Sequence, residues 1–316
     1  MKTNIIESTF LGLALADALG VPVEFKSRQE LLNNPVIDMR EYGTHHQPKG
    51  TWSDDSSLTF CLAESLCKKF NINNIANKFS SWYREINWTP HGSVFDIGNT
   101  TNKAINLYLK GTPPTLCGGN SEYDNGNGSL MRISPLAFYI KDFSIEKRFD
   151  IIKEVSSITH AHIRSVISCF IYLEFIIEIL DKNEIIVAYK NMQKKVNDFL
   201  LNNPICSQHE ITIFNRVLEN NIQYLKEEDI SSGGYVVHTL EASFWCLLNT
   251  SDYTEAVFKA INLGEDNDTT ATVVGAVSGM YYGLNDVPKE WINAIARKND
   301  ILLLSKQFAK KYGYEN

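Results

Sequence analysis

Along most of this chain apolar residues recur at the three- and four-residue spacing that lines one face of an α-helix. Phe60, Leu62 and Leu66 follow Asp55 on such a spacing. Ile163, Ile167, Phe170, Ile171, Phe175 and Ile179 mark a second helix, and Val236, Leu240, Phe244 and Leu247 a third. Strand-like alternation is scarce. Two further stretches predict unusual helices: Leu11–Gly20 is rich in small residues, and the segment from Thr269 carries Gly275, Gly279 and Gly283 four residues apart on one face. Glycine costs a helix roughly 1 kcal/mol against alanine. The pattern therefore predicts a second helix backbone packed very close, the alternative being an irregular segment. Polar turn formers place loops at 43–49, 111–128 and 231–234, with no repeat or linker. The expectation is an all-α fold, a single compact domain over 1–316.

Composition narrows the picture. A chain of 316 residues, 44% hydrophobic, can build a large core, although length alone leaves one or two domains open. A formal net charge of -7 offers no general attraction to nucleic acid or anionic lipid. The six cysteines form no CxxC pair, which fits free thiols in a reducing cytoplasm. The opening MKTNIIESTF is too short and too polar for a secretion signal. The longest apolar run, Val166–Leu180, is broken by Ser168, Glu174 and Glu178, short of the roughly 20 residues that span a bilayer. A cytoplasmic protein is expected, with neither nucleic acid nor membrane as partner and its oligomeric state open.

Five motifs carry candidate chemistry. Gly50-Thr-Trp-Ser-Asp-Asp-Ser-Ser57 and Gly264-Glu-Asp-Asn-Asp-Thr-Thr270 each precede an apolar helix and present paired carboxylates with hydroxyls. Hard divalent cations prefer that oxygen set. Ser and Asp are also preferred helix caps, but capping needs one acceptor, not Asp266 and Asp268 together with Glu265. Asn125-Gly-Asn-Gly-Ser-Leu-Met-Arg132 reads as a plain turn or as a backbone nest for phosphate, with Arg132 adding charge. In Ser157-Ile-Thr-His-Ala-His162 the histidine spacing is not that of a helical metal site, so each reads as a packing or hydrogen-bonding residue. Asp96 lies between apolar neighbours in Val94-Phe-Asp-Ile-Gly98, which leaves a cap, a partner or a catalytic role open.

In this order the motifs, with Asp17-Ala-Leu-Gly-Val-Pro-Val-Glu24, Cys117-Gly-Gly-Asn120 and Gly234-Tyr-Val-Val237, resemble the ADP-ribosylglycohydrolase family from about Gly12 to Gly283. The resemblance implies an all-α orthogonal helical fold and a binuclear centre of two Mg²⁺ (or Mn²⁺). Ser53, Asp54 and Asp55 would hold one side of it, and Asp266, Asp268 and Thr269 the other. It also implies ADP-ribose contacts from Asn127, Gly128, Ser129, Met131, His160, Ser232, Gly233 and Tyr235, with Glu24 and Asp96 in proton transfer or gating. Its partner would be an ADP-ribosylated protein or ADP-ribose, and ADP-ribosylarginine the expected substrate. Tyr235 is expected to stack on the guanidinium, with Glu24, Asp96 and Glu265 as an acidic rim. Serine or O-acyl linkages and a non-catalytic binding protein are the alternatives, as is a helical protein whose acids are only caps. Glu265 stands where the family usually has glycine, Asn267 where it has threonine or serine, and Ser53 and Ser56 where threonine is commoner.

Overall fold

The computed structural model describes residues 4–315; Met1–Thr3 of the polar opening and Asn316 lie outside it. Asn4 starts the first helix by accepting the Ile6 N–H, and its side-chain amide reaches the Tyr314 carbonyl, so the two ends of the described chain meet. The helices run α1 (Ile5–Gly20), α2 (Arg28–Asn33), α3 (Asp54–Leu66), α4 (Ile72–Glu85), α5 (Asn99–Leu109), α6 (Leu136–Ile140), α7 (Ile145–Ser156) and α8 (Ile163–Leu180). They continue with α9 (Ile185–Asn202), α10 (Gln208–Thr212), α11 (Asn215–Leu218), α12 (Val236–Leu248), α13 (Tyr253–Ile261), α14 (Asn267–Tyr282), α15 (Lys289–Ala294) and α16 (Lys298–Tyr312). Among the described residues there is no strand; two isolated backbone bridges, Gly119 with His160 and Gly126 with Tyr235, are the only sheet-like pairings. Every helix read from periodicity is present.

α1 and α14 form the centre, buried along nearly their whole lengths. A Cβ added to Gly12 would lie 2.7 Å from the Gly275 carbonyl oxygen, and one added to Gly279 would lie 2.4 Å from that of Ser8. These glycines let two backbones touch where side chains would hold them apart. Gly283, grouped with them in the sequence, instead ends α14 at φ +77°, a conformation glycine adopts without strain. Tyr253 reinforces the seam, its hydroxyl donating to the Gly12 carbonyl at 2.6 Å.

The other helices wrap this pair within one connected hydrophobic cluster. The span Ile5–Val23 is long and apolar enough to cross a membrane by those two measures, and 89% of it is buried inside the protein, as a core helix must be. A buried ion pair joins α7 to α8, Arg148 with Glu174, made by two hydrogen bonds of 2.6 Å. All six cysteines are unpaired.

Alanine at Gly279 separates propensity from packing. Propensity alone would stabilise α14 by about 1 kcal/mol, whereas the backbone clash predicts a net loss of about 2 kcal/mol. A lowered urea midpoint for Gly279→Ala, with unchanged far-ultraviolet circular dichroism before the transition, is the expected result.

Candidate active site

The acidic motifs occupy two helix starts. Ser53 caps α3, its hydroxyl accepting the Asp55 N–H at 3.2 Å. Asp17, wholly buried on the last turn of α1, straps that start down. It accepts the Ser53 N–H (2.9 and 3.0 Å), the Ser56 N–H (3.1 Å) and the Ser56 hydroxyl (2.6 Å). At the other start, Asp266 precedes α14 and accepts the Asn127 amide at 2.9 Å, while Asp268 accepts the Thr269 N–H at 2.8 Å. A Cβ at Gly20 would lie 2.4 Å from the Asp268 Cα, so the end of α1 admits the start of α14 only as glycine. The Thr269 hydroxyl then reaches Asp55 Oδ1 at 3.4 Å, across 214 positions of sequence.

Between them opens a cavity of about 350 Å³. Glu24, Asp54, Asp55, Asp96, Asp266 and Thr269 line it, with Phe25, Gly98–Thr101, Gly126–Gly128, Met131, His160 and Gly234. Asp268 is buried behind this wall. Carboxylate oxygens of Glu24, Asp266 and Asp268 lie within 4.8 Å of one another.

So many acids in so little water resist ionisation. Burial, then the neighbouring charges, pushes Asp54, Asp55 and Asp268 well above the usual carboxylate range. Burial and the Asp266 charge raise Glu24 to about 8; burial and the Glu24 charge raise Asp96 to about 8. Asp266 is raised by burial against the opposing hydrogen bond from Asn127. Two buried oxygens, Asp55 Oδ2 and Asp268 Oδ2, have no hydrogen-bond partner.

Apart from the first turn of α5 the remaining wall is loop, stitched by backbone. Gly119 N–H donates to the Thr159 carbonyl (3.0 Å), Ala161 N–H to Gly119 (2.8 Å), Asn127 N–H to Gly234 (3.1 Å) and Val236 N–H to Asn125 (3.0 Å). Arg132 is the pin beneath. Fully buried over the Phe79 ring, it donates to the Gly128 carbonyl and, at 2.6 Å, to the Thr159 hydroxyl. It therefore braces the loop from below; it does not line the cavity. Thr159 in turn contacts His160 Nδ1 at 2.8 Å, and burial with the Arg132 charge lowers His160 to about 3, so this imidazole is neutral.

Of the residues singled out in the sequence, the two acidic starts, Glu24, Asp96, Asn127, Gly128, Met131 and His160 converge. Ser129 and Ser232 are buried with their hydroxyls engaged elsewhere, the first with Cys169 and Ser156, the second with the Leu263 carbonyl. Gly233 is partly exposed. Tyr235 is not among the lining residues; its ring meets His238 edge-on, 5.0 Å away. Glu265 is exposed and also absent from the lining. Its φ of +59° explains why glycine suits this position.

Three residues gain importance only in space. Asp17 lay within a quoted motif without a role. His45, in the polar 43–49 loop, bonds Glu24 through Nε2 and comes within 4.0 Å of Asp96. Phe25 stands 62% exposed beside Glu24. No periodicity or spacing marks either His45 or Phe25.

A family profile described as ADP-ribosylglycohydrolase matches residues 3–316. The ADP-ribosylarginine hydrolase Tri1 of Serratia proteamaculans (strain 568) is 32% identical over 95% of this chain and 78% of its own. The Tri1 of Pseudomonas putida (strain GB-1) is 29% identical over 95% and 76%. The ADP-ribosyl-[dinitrogen reductase] glycohydrolase of Rhodospirillum rubrum is 24% identical over 92% and 89%. A solved structure titled ADP-ribosylglycohydrolase-related protein complex superposes with a TM-score of 0.79 at 27% identity, covering 98% of both chains. The chain belongs to the ADP-ribosylglycohydrolase family.

Asp17→Asn tests the strap. The amide keeps the shape but turns an NH₂ toward groups that themselves donate, which costs about 2 kcal/mol. Expected are a lower urea midpoint and a parallel fall in kcat, because Ser53–Asp55 lose their anchor.

Proposed function

We propose that this chain hydrolyses the N-glycosidic bond joining ADP-ribose to arginine side chains of protein, in a reaction that depends on divalent cations. Hydrolysis of ADP-ribosyl linkages follows from the family; the arginine linkage and the metals are the finer reading. The observation that carries it is the convergence of two acidic helix starts on one cavity, leaving Asp55 Oδ2 and Asp268 Oδ2 buried and unpartnered. An orphaned buried acceptor is costly, and a cation would satisfy both.

The donor set fits two Mg²⁺ or Mn²⁺: hydroxyl and carboxylate oxygens, with no sulfur or imidazole among the candidate ligands. Ser53, Asp54 and Asp55 would hold them from α3, and Asp266, Asp268 and Thr269 from α14. Bound there, the ions would supply countercharge, polarise ribose oxygens and acidify water. Asn127 fixes Asp266 by its amide, and Ser232 does so through its carbonyl, which accepts the Asp266 N–H at 3.1 Å. Main-chain amides of Gly128, Ser129 and Gly233 would receive the diphosphate, Met131 would line its site with its N–H held by the Asn127 carbonyl, and the neutral His160 and the Ser232–Tyr235 loop would flank ADP-ribose.

Glu24 and Asp96 would move the proton. With both carboxyls raised to about 8, the pair retains a proton near neutral pH. That proton goes to the departing guanidine nitrogen as the C1′–N bond breaks. Water adds to the same carbon through an oxocarbenium-like transition state and gives its proton to the carboxylate left behind. The similarity to two Tri1 arginine hydrolases supports the linkage assignment, and the acidic lining suits a cationic leaving group.

Asp268→Asn should lower kcat at least about a hundredfold while the metal-free protein melts no lower than wild type, because a repelling charge has gone. Mg²⁺ or Mn²⁺ should raise the wild-type melting temperature, and chelation should abolish turnover; full activity after exhaustive chelation sinks the metal assignment. Glu24→Gln and Asp96→Asn should each cost on the order of 10² to 10⁴ in kcat. Matched arginine- and serine-linked ADP-ribosyl peptides should differ in kcat/KM in favour of arginine; equal rates would remove that linkage and leave the hydrolase.

A further inference from the structure

Glu24 and Phe25 are adjacent yet face opposite fates: the first residue is 3% exposed and the second 62%, and both line the cavity. The backbone between them explains the arrangement. Phe25 has φ +63°, the left-handed region that an aromatic residue rarely occupies. Its N–H donates to the Glu265 carbonyl at 2.7 Å, and the Glu265 N–H returns a bond to the Lys26 carbonyl at 2.8 Å. Glu265 is itself left-handed, at φ +59°. Two strained non-glycine residues are thus locked together, and one result is an apolar ring standing in solvent. The fold gains nothing from that: an exposed phenylalanine forfeits the burial that normally recommends it. Strain that persists without serving stability points to a ligand.

The surroundings say which ligand. The His45 imidazole lies edge-on to Phe25, with centroids 6.0 Å apart, and Phe95 follows 5.3 Å beyond His45. The same His45 bonds Glu24 and approaches Asp96. An aromatic row therefore borders the two carboxyls outside the acidic helix starts. A guanidinium requires acceptors in its plane and a π face above it. Tyr235, expected from the sequence to provide that face, is paired through its backbone to Gly126 and lies outside the lining.

We propose that Phe25 is a specificity-determining residue, its ring forming the face against which the target arginine's guanidinium lies while Glu24 and Asp96 accept its N–H groups. This rests on the arginine reading above. Phe25 belongs to the leaving group's subsite and not to that of ADP-ribose, so its removal separates the two.

The test uses the full chain with Phe25→Ala and Phe25→Trp, an arginine-linked ADP-ribosyl peptide as substrate, and ADP-ribose binding by calorimetry as the control. Phe25→Ala should lower kcat/KM by on the order of tenfold, with KM carrying most of the change, while ADP-ribose affinity and melting temperature stay at wild-type values. Phe25→Trp should restore kcat/KM. An active wild type with an indistinguishable Phe25→Ala overturns this proposal alone. Equal losses in ADP-ribose affinity and in kcat/KM also overturn it, by assigning the ring to ADP-ribose. A wild type that hydrolyses serine-linked but not arginine-linked peptide overturns the arginine reading and this proposal together.

Discussion

Everything at the acidic end depends on how closely α1 and α14 approach. Gly12, Gly275 and Gly279 remove the side chains that would separate them, and Gly20 admits the Asp268 backbone. A methyl group at any of these points would meet main chain or a β-carbon on the partner helix, which cannot rotate away. Because α1 also carries Asp17, the same seam fixes the start of α3 through four hydrogen bonds. One backbone contact thereby sets the spacing between carboxylates more than two hundred positions apart.

That spacing is electrostatically expensive. Six carboxyls from four segments share one small space, and their suppressed ionisation reports the lack of water and, for all but Asp266, the repulsion of neighbouring charge. Large apolar burial elsewhere in the single connected core holds the arrangement together. The positive-φ residues Phe25, Asp96 and Glu265 cluster around the same space. Like charge concentrates where ligand chemistry is to be done, with three strained positions beside it.

The loops illustrate a different economy. Segments 118–128, 157–161 and 232–235 hold no regular structure beyond one 3₁₀ turn at Glu122–Asp124, yet two backbone bridges and the buried Arg132 hold them as one surface. Arg132 looked like a phosphate-binding charge in the sequence. Its burial over Phe79 and its bonds to the Gly128 carbonyl and Thr159 make it an internal brace, and it lowers the basicity of His160 on the way.

What could be read from the chain alone was what neighbours in sequence decide. Helix periodicity, the Ser53 cap, the paired acids at two helix starts and the small-residue faces are all local patterns, because a helix turn relates residues three and four apart. The ordered motifs added the family. Only the tertiary structure brought Thr269 to Asp55, put His45 against Glu24, set the Tyr235 ring against His238 and left Phe25 standing at the cavity's edge. Those outcomes depend on backbone approach distances and on left-handed turns at Phe25 and Glu265, neither of which leaves a periodic trace. A side chain's direction across a cavity is set by the packing of elements far apart in sequence, and that packing exists only once the whole core has formed.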